Sequence, residues 1–176
     1  MSIDAMLTAL YFVLAVVTIA VGNVHFSLAA LPADVAVLLF GGGEGIVVAL
    51  LGETLLQLFS YGFGITTPLW IVGPVVRIAF IALIAFFYRR KGDTLDHHPV
   101  VYLLALLTAA ILTTALNTLA MYLDSLILDY PFTWVLWETI VRFLTGFGSA
   151  LLVYLTTRPL LNALRRLTLS YQGMKR

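Results

Sequence analysis

Apolar runs long enough to cross a bilayer follow one another along this chain, separated by short polar or glycine-rich breaks. A hydrocarbon core of about 30 Å needs about 20 apolar residues in a helix. Residues 5–22 form the first such run, and Asn23 to Ser27 interrupts it. Residues 28–40 are a shorter run containing Pro32 and Asp34, which predicts a short or tilted second helix, or part of a broken one. Gly41-Gly42-Gly43 breaks the pattern before a third span at 44–60, and Tyr61 to Thr67 reads as a loop. The fourth span, 68–88, opens on Pro68, a residue suited to a first helical turn, and contains Pro74, which predicts a kink. Arg89-Arg90-Lys91 ends it. Residues 99–123 form a fifth span and 132–157 a sixth, expected to run on through Arg158 toward Arg165 and Arg166, with Pro159 as a kink or break. The expected fold is an all-α integral membrane protein, a single domain built as a six-transmembrane-helix bundle.

Composition agrees with a membrane protein. Of 176 residues, 61% are hydrophobic and 11% charged, with mean hydropathy +1.02, whereas soluble domains are about 25% charged. Because apolar runs recur toward the C-terminal end and no small-residue cleavage site follows a basic N-terminal region, a signal peptide does not explain the hydrophobicity. The absence of cysteine excludes disulfides, thiolate catalysis and Cys-based metal sites. No HExxH, Gly-x-Ser-x-Gly or dinucleotide fingerprint occurs, so neither enzyme chemistry nor a cofactor is expected, and nothing calls for a nucleic-acid partner. His97-His98 beside Asp93 and Asp96 reads as a solvated loop rather than a metal site, and Gly41 to Gly45 as a turn rather than a phosphate cradle. Lys and Arg outside the spans fall between the fourth and fifth spans or from Arg158 onward, while the loops near Asn23, Gly62 and Asp124 have none. With six spans, both termini are then expected to be cytoplasmic.

The charges inside the spans carry the functional signal. Glu138 and Arg142 lie four residues apart, on one helical face with Trp134 a turn before them. An unpaired charge at bilayer depth costs about 3 kcal/mol or more, so such residues pair or line a polar cavity. At about 1.5 Å per residue, Arg77 lies about 14 Å, Arg142 about 15 Å and Glu138 about 9 Å from the outer ends of their spans. Glu53 and Asn117 also fall in the outer half. Helical neighbours on the same faces add Gln57 and Ser60 to Glu53, Trp70 and Gly73 to Arg77, and Thr113 and Met121 to Asn117. Glu53, Gln57, Trp70, Arg77, Asn117, Trp134, Glu138 and Arg142 are therefore the expected substrate-binding residues, a polar and aromatic cluster open to the outside. The bland alternatives are an inter-helix ion network of Glu53, Arg77, Glu138 and Arg142 with no ligand, and tryptophans that only mark the headgroup level. His25, in an outer loop, would cap the cavity or have no role. Two arginines beside two acids suggest an anionic or zwitterionic heterocycle, with Trp134 or Trp70 stacking on its ring. Ala5-x-x-x-Ala9, and Gly45-x-x-x-Ala49 with Gly52, make faces that allow close helix approach.

The chain resembles the substrate-binding S components of energy-coupling factor (ECF) vitamin transporters. The likeness rests on six spans in a short chain and on LPADVAVLLFGGGEGIVVALLGETL, similar to that family's proline, short helix, glycine turn and small-residue helix with an acidic or polar end. Asp34 stands where many members are apolar. Ala115 to Leu123, ALNTLAMYL, is similar to the Asn-bearing fifth helix of folate-type and riboflavin-type members, and Ala5 and Ala9 match a small-residue motif that in the family faces the coupling subunit. The resemblance implies a subunit that binds a vitamin or precursor with high affinity. It would associate with a transmembrane coupling protein and two cytoplasmic ATPases, and topple in the membrane to release the ligand inside. The alternative is an MreD-like membrane scaffold of cell-shape or cell-wall machinery, in which the same charges would be structural.

Overall fold

The computed structural model describes residues 3–21, 24–60, 62 and 64–173, excepting the side chains of 20, 21, 24 and 165–173. Among these residues the chain is nearly all helical: α1 (Ile3–Val16), α2 (Ala30–Leu39), α3 (Gly42–Ser60), α4 (Thr67–Arg90), α5 (Pro99–Leu128) and α6 (Phe132–Gly173). A two-stranded antiparallel hairpin, β1 (Ile19–Val21) and β2 (Val24–Phe26), joins α1 to α2, and a short 3-10 turn, Leu95–His97, precedes α5. Helices α3 to α6 are each long and apolar enough to cross a membrane; α1 and α2 are shorter apolar helices.

The element bounds differ most from the sequence reading at the ends of α1 and α5. The first apolar run leaves the helix at Val16 and continues as β1, because the β-branched Val16, Val17, Thr18 and Ile19 suit extended backbone better than helix. Gly22, Asn23 and Tyr61, read as run end and loop, and the arginine side chains of 165 and 166 lie outside the described set. Helix α5 runs past Leu123 to Leu128 and stops where Asp129 adopts a left-handed conformation at φ 54°, which Asp tolerates better than most residues. Helix α6 continues through Pro159 without a break.

The ten-residue α2 lies at the centre. It packs on α1, α3, α4 and α6, and Ala30 to Leu38 are all buried. Its small and branched side chains let larger helices close around it; at Gly45 a Cβ would overlap the side chain of Val37, so α3 meets α2 nearly backbone to backbone. The C-terminal carbonyls of α2 lack intrahelical partners, and Arg89 supplies one, its Nη2 donating to Val37 O at 2.8 Å and Leu38 O at 2.9 Å. The positive charge also suits the negative end of the helix dipole. Around α2 the other helices run in order, α1 on α3, α3 on α4, α4 on α5 and α5 on α6. The ring closes between α6 and α1 through β2: the Phe26 ring covers Gly148, and Ser149 Oγ accepts the Ser27 backbone N–H at 3.0 Å.

Candidate functional site

A cavity of about 540 Å³ lies between the N-terminal end of α2 and the hairpin, within the range of small-molecule sites. Every helix contributes. Tyr11 comes from α1, Ala30 from α2, Glu53 from α3, Arg77 from α4, Asn117 from α5 and Arg142 from α6. A second chamber of about 480 Å³ opens beside it, lined by Gln57, Trp70, Asp124 and Trp134 among others. Glu53, Leu56, Asn117 and Arg142 border both. Of the residues singled out in the sequence, Glu53, Arg77, Asn117, Glu138 and Arg142 line the inner chamber, whereas Gln57, Trp70 and Trp134 reach only the outer one.

The carboxylates are largely occupied by the protein itself. Glu53 accepts from Tyr11 OH at 3.0 Å and from Gln57 Nε2 at 2.8 Å, one donor on each oxygen. Tyr11 reaches it because Gly52 leaves room: a Cβ there would strike the Tyr11 ring. Glu138 lies 3.4 Å from Arg142 Nε, a loose ion pair one helical turn long. Asp124 accepts Trp70 Nε1 at 2.9 Å, and the Trp70 ring in turn lies under the Arg142 guanidinium at 5.1 Å from Cζ to centroid, a cation–π contact.

The guanidinium groups are less satisfied. Nε and Nη2 of Arg77 are buried with no hydrogen-bond partner among the described residues, and so is the acceptor Asn117 Oδ1, while Arg142 Nε has only its 3.4 Å ion-pair contact with Glu138. These atoms are packed within the wall, although Arg77, Asn117 and Arg142 all line the chamber. Asn117 Oδ1 is brought there by close packing of α4 on α5: a Cβ on Gly73 would collide with it. The N-terminal end of α2 faces the same space through Ala29 and Ala30, and the positive end of its dipole favours negative charge there. The inner chamber is thus lined by two guanidinium groups, two carboxyl groups and an amide, which suits an anionic or zwitterionic ligand.

Several lining residues escaped the sequence reading. Thr145 and Ser149 continue the Glu138–Arg142 face at helical spacing, a stripe that the periodicity could have shown. Tyr11 and Thr18 carried no such signal, since a phenol or hydroxyl in an apolar run attracts no notice. His25 lines the cavity from the hairpin, with Nδ1 3.3 Å from Thr18 Oγ1. Trp134 and Trp137 are exposed at the N-terminal end of α6, where Trp134 packs edge-on against Tyr130 at 5.1 Å. At the opposite end His98, the Thr94 backbone N–H and His97 all donate to Asp93, at 2.6, 2.7 and 3.0 Å, and hold its carboxyl down at about 2. Ala5 and Ala9 are exposed along α1.

Residues 1–168 match the family model described as "ECF transporter, substrate-specific component". The chain belongs to that family. As an S component it is a multi-pass membrane protein and a transporter subunit rather than an enzyme. A solved structure, the S component of a bacterial ECF transporter, superposes with a TM-score of 0.62 over 92% of this chain and 95% of that one at 20% identity. At that identity the likeness establishes a shared fold. No curated protein matches the sequence of this S component.

Proposed function

We propose that this S component binds a vitamin or vitamin precursor with high affinity in the inner chamber, as the capture subunit of an ATP-driven importer. The ligand is an anionic or zwitterionic heterocycle. Arg77 and Arg142 receive its acidic group, Asn117 takes a donor on it, and Glu53, held by Tyr11 and Gln57, and Glu138 shape the polar wall. Trp70 and Trp134 flank the outer chamber through which the ligand passes. A transmembrane coupling protein meets the α1 face that carries Ala5 and Ala9, two cytoplasmic ATPases complete the assembly, and toppling of the bundle delivers the ligand inside. Both termini are cytoplasmic. This chain hydrolyses nothing.

The observation that carries the reading is a cavity of vitamin size lined by Arg77, Arg142, Asn117, Glu53 and Glu138. A network that served only helix packing would be expected to join Arg77 to a carboxylate, and among the described residues it has no ion pair. The family match supports capture over the scaffold alternative. The test is a thermal-shift screen of the detergent-solubilised protein against B vitamins, their precursors and nucleobase analogues. At a hundredfold excess over Kd a ligand adds about 2.7 kcal/mol of stability, so one compound should give a clear upward shift. A flat panel on well-folded protein would return the weight to a scaffold.

A further inference from the structure

Three helices meet through one side chain where the two chambers join. Trp70 of α4 donates its Nε1–H to Asp124 Oδ2 of α5 at 2.9 Å, and its ring lies 5.1 Å from Cζ of Arg142 on α6. Trp70, Asp124 and Arg142 all line the outer chamber, and Arg142 borders the inner one as well. Nε1–H is the only polar group of a tryptophan side chain and can only donate, so the Asp124 carboxylate fixes the rotation of the ring. The bond is charge-assisted and correspondingly strong. Asp124 forms no ion pair among the described residues, which leaves the indole as its partner. The ring face in turn attracts the guanidinium. The other contact of Arg142, the 3.4 Å approach of Nε to Glu138, stays within its own helix. It ties the stem rather than the tip: Nε is buried, the side chain as a whole is 32% exposed, and the two terminal nitrogens are neither enclosed nor hydrogen-bonded among the described residues. Those are the donors a ligand can reach.

We propose that Asp124 is a positioning residue for substrate binding: through Trp70 it sets the indole face that holds the Arg142 guanidinium where the chambers join, with the terminal nitrogens available to an anionic group of the ligand. The role rests on the capture reading above and adds to it the place of that anionic group, at the junction of the two chambers. Asp124 need not touch the ligand, whose negative charge it would repel in direct contact.

Pantothenate, biotin and folate as carboxylates, riboflavin as a neutral compound and thiamine as a cation are each tested by thermal shift on the whole detergent-solubilised protein. A shift with one of the carboxylates is expected, and that compound is then titrated calorimetrically against wild type, Asp124→Ala, Asp124→Asn, Arg142→Ala and the Asp124→Ala/Arg142→Ala double variant. Asp124→Ala should weaken binding about fivefold in the wild-type background and less than about twofold in the Arg142→Ala background, as for two groups serving one contact. Asp124→Asn, whose amide oxygen still accepts from Trp70, should recover most of the loss. Equal losses in both backgrounds, or an Asp124→Asn variant no better than Asp124→Ala, overturn the positioning role and leave capture standing. A shift with riboflavin or thiamine alone keeps capture and overturns the anionic contact, and the role of Asp124 with it. No shift with any probe also overturns the role, while vitamin precursors and nucleobase analogues decide capture separately. If Asp124→Ala does not fold, Trp70→Phe, which keeps a ring and loses the N–H, takes its place in the same cycle, and an equal loss with and without Arg142 sinks the pairing.

Discussion

Arg142 is held between a tryptophan face and a carboxylate, and both contacts are loose enough to be shared with a ligand. The ion pair to Glu138 spans 3.4 Å with both side chains about a third exposed, at 32% and 28%, so it is worth at most a few tenths of a kcal/mol to folding. A charged hydrogen bond to a ligand in the chamber is worth about 1.5–3 kcal/mol. Arg142→Ala should therefore weaken ligand binding by about tenfold or more, while the melting temperature of the ligand-free protein changes little. Calorimetric titration alongside thermal unfolding measures both, and a large loss of stability would instead make Arg142 a packing residue. Tyr11→Phe should behave differently. It removes a buried donor from Glu53, leaving a carboxylate oxygen unpaired at a cost of about 1–3 kcal/mol, visible as a lower melting temperature without ligand. These contrasts also show what was legible in the sequence. Glu53, Arg77, Glu138 and Arg142 stood out because bilayer depth penalises charge, and any reader of hydropathy meets them. Tyr11 stayed hidden because a hydroxyl in an apolar helix costs little, and only the packing shows which way it faces.

At the scale of elements, the long spans were readable because lipid demands about 20 apolar residues from each. The hairpin was not. Apart from Thr18, residues 12–21 are apolar on every side, so neither a helical nor an alternating period appears, and such a run can continue as helix or turn to strand. Contact with α6 settles the matter: Phe26 lies over Gly148 and Ser27 is tied to Ser149, which closes the wall of the chamber between α6 and α1. Helix α5 likewise passed its expected end because Asp124, taken as the start of a loop, is a helical residue whose carboxylate accepts Trp70. The hairpin contact gives a prediction at this scale. A side chain at Gly148 would occupy the space of the Phe26 ring, so Gly148→Val should displace β2 and open the seam. Ligand dissociation should then quicken while Arg77 and Arg142 stay in place, seen as a higher rate of release with a smaller change in association. An unchanged release rate would mean that the hairpin does not retain the ligand.

For the molecule as a whole, the question is which end of the chamber faces out. The outer chamber opens beside residues 64–67 and Trp134. Arg89 to Lys91 and Arg158 gather at the other end, where Arg158 Nη2 donates to Asp96 O at 3.0 Å across the α4–α5 connection. Lys and Arg in short loops stay on the cytoplasmic side, so the chamber should open outward and the connection at 91–98 should lie inside. The chain has no cysteine, which makes single-cysteine labelling clean without prior substitutions. Ile65 is 86% exposed beside the outer chamber, and Lys91 is exposed at the basic end. Ile65→Cys should react with a membrane-impermeant maleimide in intact cells, and Lys91→Cys only after permeabilisation. The reverse pattern would place the chamber mouth toward the cytoplasm, where a capture subunit for uptake could not meet its substrate, and the import reading would fail together with the orientation.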